Sequence, residues 1–262
     1  MQDVVKHNNS YKKKRSNGNY SIHYTMIALI ALIVFVVLSL TVLFNIETVI
    51  ISGNSIYSAD EIVAASGFVS GDNMIRKNMN KCENNITSKL IYIESASIKR
   101  VFPSSIKITI KPCIEAANFE KEEGFWVISK GGKILRHTDE VDSNLLTIYG
   151  TNPKGEMNIG MQFESEDSKK TENIFELIDR YNASNMIGKV GSFDVTDRLN
   201  IFCIYENRVK IEMGSISELD YKFKAAENIL TTKISSHTEG TMKILSTGIS
   251  FIDKEGLEAN EQ

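Results

Sequence analysis

Met26-Ile-Ala-Leu-Ile-Ala-Leu-Ile-Val-Phe-Val-Val-Leu-Ser-Leu-Thr-Val-Leu-Phe44 contains no charged residue, and Ser39 and Thr41 are its only polar side chains. Nineteen residues at ~1.5 Å rise give a helix of about 28 Å, close to the ~30 Å hydrocarbon core of a bilayer. Such a helix satisfies its own backbone and turns its side chains to lipid. A cleaved signal peptide has a shorter apolar core of ~7–15 residues and small residues at the cut. Leu43-Phe44-Asn45-Ile46-Glu47 offers no such pattern. A buried helix of a soluble protein is seldom apolar on every face. The stretch reads as an uncleaved membrane anchor over residues 25–44.

The flanks orient it. Residues 1–24 carry Lys6, Lys12, Lys13, Lys14 and Arg15 against Asp3, a net +4, so residues 25–262 carry −7 to reach the chain's −3. No Lys or Arg follows the span until Arg76. The positive-inside bias therefore puts residues 1–24 in the cytoplasm as a basic tail and the C-terminus outside. Next to a span, Lys12–Arg15 suits anionic lipid rather than nucleic acid, and a net charge of −3 argues against a nucleic-acid binder. Cys82, Cys113 and Cys203 contain no CxxC pair and are odd in number, which excludes a disulfide scaffold.

Outward from the span, residues 45–112 read as β-α-α-β-β. Ile46 and Val49–Ile51 form a β-branched run stopped by the turn signal Gly53-Asn54. Ser58-Ala59-Asp60-Glu61 is a capping box, with Ser58 as N-cap and Glu61 three residues on. That helix is expected to end at Gly67, and a second is expected over Asn78–Leu90. Ser95–Val101 and Ile106–Ile110 follow as strands. In the second, Ile106, Ile108 and Ile110 alternate with Lys107 and Thr109, so one face is buried. Pro103 lies between them, where no ladder donor is needed.

Residues 113–252 read as β-rich with two helices. Gly131-Gly132 marks a hairpin between Phe125–Ser129 and Lys133–Arg136. Leu145–Tyr149, Phe193–Val195, Asn200–Tyr205 and Val209–Met213 are strand candidates. Glu166–Tyr181 and the segment from Leu219 to Leu230 have helical apolar spacing. Met242–Leu245 and Ile249–Ile252 are expected to form one final strand kinked at Gly248. Residues 253–262 hold four acids and one lysine and read as a short acidic tail. The fold class is α+β: a transmembrane helix, a β-α-α-β-β module, then a β-rich domain.

The order of these parts and several stretches within them carry a resemblance. They are Val49-Ile50-Ile51-Ser52-Gly53-Asn54-Ser55, Gly71-Asp72-Asn73, Ala96 through Ile108 with Arg100-Val101-Phe102-Pro103 at its centre, Gly124-Phe125-Trp126-Val127-Ile128, and Val209 through Gly214. Together they resemble the FtsQ/DivIB family of bacterial cell-division proteins, whose first extracytoplasmic module is a POTRA domain. The resemblance implies a non-enzymatic, single-pass scaffold in the bacterial membrane, located at the septum. It also implies binding of FtsL-like and FtsB/DivIC-like single-span proteins and a part in regulating septal peptidoglycan synthesis.

The residues offer little chemistry. There is no HExxH, GxSxG or GxGxxG. Ser104–Lys107 matches S-x-x-K, but in a strand an odd offset points the two side chains to opposite faces. Asp194 and Asp197 suit turns. No catalytic residue, metal ligand, cofactor or small-molecule substrate is expected. The alternative reading is a membrane-anchored hydrolase or ligand sensor. The candidate site is a partner-binding strand, Thr247, Gly248, Ile249, Ser250, Phe251 and Ile252. Ile249 and Phe251 are expected on one face and Ser250 and Ile252 on the other, with an exposed backbone edge for strand addition and the Ser250 amide as one of its donors.

Overall fold

The structure, a computed structural model, describes residues 20–245 and 248–254. The basic tail up to residue 19, Thr247, and the acidic tail from residue 255 lie outside the described residues.

Helix α1 spans Tyr20–Val42. It begins within the segment expected to be tail. Over Tyr20–Ser39 its mean hydropathy is 2.5 and none of it is buried by the protein. By length and composition it is apolar enough to cross a membrane.

The next elements are β1 (Thr48–Ser52), α2 (Ala59–Ser66), α3 (Met79–Lys89), β2 (Ile93–Val101) and β3 (Ser105–Pro112), with strand order β1-β3-β2. The capping box forms as its sequence demands. Glu61 N–H donates to the Ser58 hydroxyl at 3.3 Å, and Ser58 N–H donates to Glu61 Oε2 at 2.7 Å. Gly67 closes α2 in the left-handed region at φ 75°. Asn78 caps α3 by accepting from Lys81 N–H at 3.1 Å. Ile106, Ile108 and Ile110 are buried, and Lys107 and Thr109 are exposed. Each buried isoleucine contributes about 1.5–3 kcal/mol. Gly53 follows β1 at φ 113°, and a Cβ there would run into the carbonyl of Ile110.

The remaining strands are β4 (Glu115–Glu120), β5 (Phe125–Ser129), β6 (Ile134–Thr138), β7 (Leu146–Tyr149), β8 (Val190–Asp194), β9 (Ile201–Tyr205), β10 (Val209–Gly214), β11 (Gly240–Leu245) and β12 (Gly248–Asp253). Two helices interrupt them, α4 (Ser168–Asn182) and α5 (Leu219–Thr232). All nine strands form one sheet, ordered β12-β11-β10-β9-β8-β7-β4-β5-β6. The pairs β4–β7, β7–β8 and β10–β11 are parallel, the last two joined through α4 and α5 as parallel pairs require. The buried residues of both helices and of one sheet face form a single core. Phe193 of β8 meets Tyr181 of α4 at 5.6 Å and Phe223 of α5 at 6.2 Å, both edge-on.

Two expectations are corrected. The final apolar runs are two antiparallel strands, β11 and β12, paired from Gly240↔Asp253 to Leu245↔Gly248. Gly248 therefore opens a strand and is not a kink inside one. The segment Glu115–Glu120, absent from the expected strands, is an interior strand of the sheet. Its Ala117, Asn118 and Phe119 are all buried, so it shows no alternation. Asn118 is accommodated because its amide donates to the Asp142 carbonyl at 2.9 Å and accepts from Asp142 N–H at 3.3 Å.

Two compact units emerge. One joins the described residues up to Thr48 with Val69–Lys77 and Arg100–Ile106. The other holds the rest of the β-α-α-β-β module and the whole nine-stranded sheet. Within the second unit a polar junction ties the module to the sheet. Lys133 is buried, and its ammonium donates to the carbonyls of Ile93 at 2.7 Å, Thr87 at 3.3 Å and Ile91 at 3.4 Å. Thr87 lies in the last turn of α3, where carbonyls lack helical partners. Beside it, Glu94 accepts from the Ser129 hydroxyl at 3.2 Å. Arg136 grips Glu115 with two bonds of 2.9 and 3.0 Å, and Tyr92 donates to the same carboxylate at 2.9 Å.

Candidate functional site

β12 stands at one margin of the nine-stranded sheet, with β11 on one side and no strand beyond it among the described residues. Two physical facts put it there. The β10–α5–β11 crossover lays β11 parallel to β10, and β12 folds back along β11 as a hairpin.

The side chains fall as alternation demands. Ile249 and Phe251 pack half-buried against the core, across from Ile244 and Met242. Ser250 and Ile252 are exposed on the opposite face, across from Lys243 and Thr241. Gly240 lies under Phe251, and a Cβ there would come 2.8 Å from the ring. Thr247 lies outside the described residues, so the structure brings together five of the six predicted site residues.

The backbone phase follows from the register. Lys254 N–H donates to the Glu239 carbonyl at 3.0 Å. Antiparallel ladders alternate bonded and non-bonded pairs, and no register shift interrupts β11–β12. Ser250 and Ile252 therefore bond inward to β11, and the amides of Ile249 and Phe251 face outward. This corrects the expectation for Ser250, whose amide belongs to the β11–β12 ladder. The outward amides belong to the two residues whose side chains hold the strand to the core.

The sheet face beside this edge is polar and ordered. Glu212 accepts from Lys243 at 3.2 Å and Lys210 at 3.3 Å. Burial would raise its pKa, but the bonds from Lys243 and Lys210 prevail and hold it below the usual carboxylate range. The Lys210 ammonium also lies 4.2 Å from the centre of the Phe202 ring. Leu245 is 55% exposed at the β11 end of this face.

The other singled-out residues have local roles. Ser104 Oγ donates to Glu47 at 3.2 Å. Asp194 accepts from Thr196 N–H at 2.9 Å, and Asp197 accepts from Leu199 N–H at 2.8 Å, both as turn caps. His137 Nε2 lies 3.0 Å from the Glu123 carbonyl. Cys82 and Cys203 are buried. Burial and the neighbouring Glu94 carboxylate push the Cys113 thiol up to about 12, so it is protonated at neutral pH. Among the described residues, no three His, Cys, Asp or Glu side chains are grouped to hold a metal.

The FtsQ-type POTRA domain family matches residues 44–111, the β-α-α-β-β module. A cell division protein DivIB of Clostridium botulinum (strain Loch Maree / Type A3) is 30% identical over 223 residues, covering 84% of each chain. This chain belongs to the DivIB family. A second DivIB, from Clostridium tetani (strain Massachusetts / E88), is 29% identical over 210 residues, 78% of this chain and 77% of the relative. The solved extracytoplasmic domain of the trans isomer of DivIB from Geobacillus stearothermophilus overlaps 46% of this chain and 93% of its own, at TM-score 0.32 and 11% identity.

As a DivIB-family protein the chain takes part in cell division, and its single N-terminal apolar helix fits a single-pass membrane protein. Sequence reasoning missed Lys243, Leu245 and Glu212 as neighbours of the DivIB edge strand. Alternation in Met242-Lys243-Ile244-Leu245 was the available signal for the first two. Glu212 reaches them through parallel pairing across 31 residues, Glu212↔Lys243, which no local pattern shows.

Proposed function

We propose that this DivIB-family chain is a non-enzymatic scaffold that captures a partner by adding the partner's strand to β12. One observation carries the reading. β12 is a sheet-margin strand whose Ile249 and Phe251 amides face outward. An unpaired edge of this kind accepts an extended peptide, with backbone bonds supplying affinity and side chains choosing the partner. The occupants proposed are FtsL-like and FtsB/DivIC-like single-span division proteins, and the consequence is control of septal peptidoglycan synthesis. The basic cluster Lys12–Arg15 supports a cytoplasmic N-terminus. The domain on which β12 sits then faces the compartment where the septal wall is made.

Truncation after Gly248 tests the reading. The expected result is a protein that still sediments with membranes and no longer co-precipitates an FtsB/DivIC-like partner. Undiminished capture by the truncated chain would overturn strand addition at β12.

A further inference from the structure

We infer that the two loops beside the exit of α1 insert into the lipid interface, so that the chain holds the membrane by its first folded unit as well as by its span. The inference rests on the reading of α1 as membrane-spanning.

The loops are Val69–Lys77 and Arg100–Ile106, which share one compact unit with α1. Both are bonded to the residues that leave the helix. Met74 N–H donates to the Phe44 carbonyl at 2.9 Å, and Ile46 N–H donates to the Asp72 carbonyl at 2.8 Å. Glu47 N–H donates to the Ser104 carbonyl at 2.9 Å. The Phe44 ring meets Phe102 edge-on at 5.5 Å. α1 ends at Val42, so two residues separate helix from loop, at most about 7 Å of chain. The headgroup layer on each side of the hydrocarbon core is about 5–8 Å deep. Both loops are therefore held at headgroup depth, with no linker to lift them away.

What they present suits that layer. Val69 is 66% exposed and Phe102 is 62% exposed, and Ile75 and Val101 are also exposed. Four exposed large apolar side chains thus sit on two loops that are tied to each other and to the exit of α1, a concentration that suits an interaction surface. Arg76 stands exposed beside Ile75, and Arg100 braces the first loop by donating to the Met74 carbonyl at 2.8 Å. Aromatic and aliphatic wedges flanked by a cation are the composition of an interfacial anchor. The occupant is the lipid leaflet at the C-terminal end of α1, since that surface is continuous with the span itself.

The test uses the full chain in lipid nanodiscs. Trp126 is the sole tryptophan, so Trp126→Phe gives a silent background for single reporters. Phe102→Trp is compared with Phe35→Trp in the span. With brominated lipid, emission from position 102 should fall about twofold, as expected for a ring ~5–10 Å into the interface, and acrylamide should reach it poorly. Emission at 102 that is unmoved by bromolipid and open to acrylamide, while position 35 is quenched, overturns the docking and leaves the span intact. If neither position is quenched, the span reading falls with it. Val69→Trp reports from the other loop with the same expectations, should Phe102→Trp not fold.

Discussion

Lys133 Nζ lies 2.7 Å from the carbonyl oxygen of Ile93, a bond across 40 residues of chain. It joins the hairpin that opens the β-rich domain to the second strand of the POTRA-type module. With Thr87 and Ile91 it gives one buried ammonium three carbonyl acceptors.

Replacing that ammonium tests the junction. Lys133→Met keeps the stem and removes the donor, leaving three carbonyls without it. The expected loss is about 1.5–3 kcal/mol, the usual contribution of a charged hydrogen bond. It is read as a lower urea midpoint for the extramembrane part. An unchanged midpoint would show that water satisfies these carbonyls equally well.

Acid should loosen the same region through Glu115. Bonds from Arg136, then from Tyr92, outweigh burial and hold its carboxyl below the ordinary 4.5. The folded value is depressed, so the stabilisation is complete above about pH 4.5 and is lost as pH falls through the folded value. Arg136→Gln removes the cause. The variant should be less stable at neutral pH and lose less on acidification below pH 4.5 than the parent. Parallel stability–pH curves for the two proteins would refute the assignment.

Two prolines separate the outward edge from the inward ladder. Ile249→Pro removes an outward amide, which an edge strand tolerates, and should weaken partner capture more than Ile249→Ala, which trims the same core contact and keeps the amide. Ser250→Pro removes an inward bond and should fray the β11–β12 hairpin, seen as faster amide exchange in Gly240–Leu245. Capture at parental affinity by the Ile249→Pro protein would exclude strand addition there.

Much of the architecture was legible because it is local. The span is a run of apolar residues, α2 is set by Ser58 and Glu61, and β3 shows three isoleucines at period two. What escaped depends on distance. β4 has no alternation because both its faces are covered, and Asn118 is at home there only through Asp142. The β11–β12 pair was read as one kinked strand because Gly248 signals a bend, while the hairpin is fixed by register with β11. The candidate strand itself was found by its apolar run. The phase of its amides was not, since that depends on which residues pair.

From β7 to β12 the strands join the sheet in the order in which the chain presents them. Each of these strands is paired with the one that precedes it in the chain. The described pairing of β12 is with β11 alone, so the β12 edge exists in the sheet only where β11 is in place. A partner's strand would be the next addition in the same series. On the strand-addition reading, the edge offered to a partner depends on the seating of β11 and, through it, of β10.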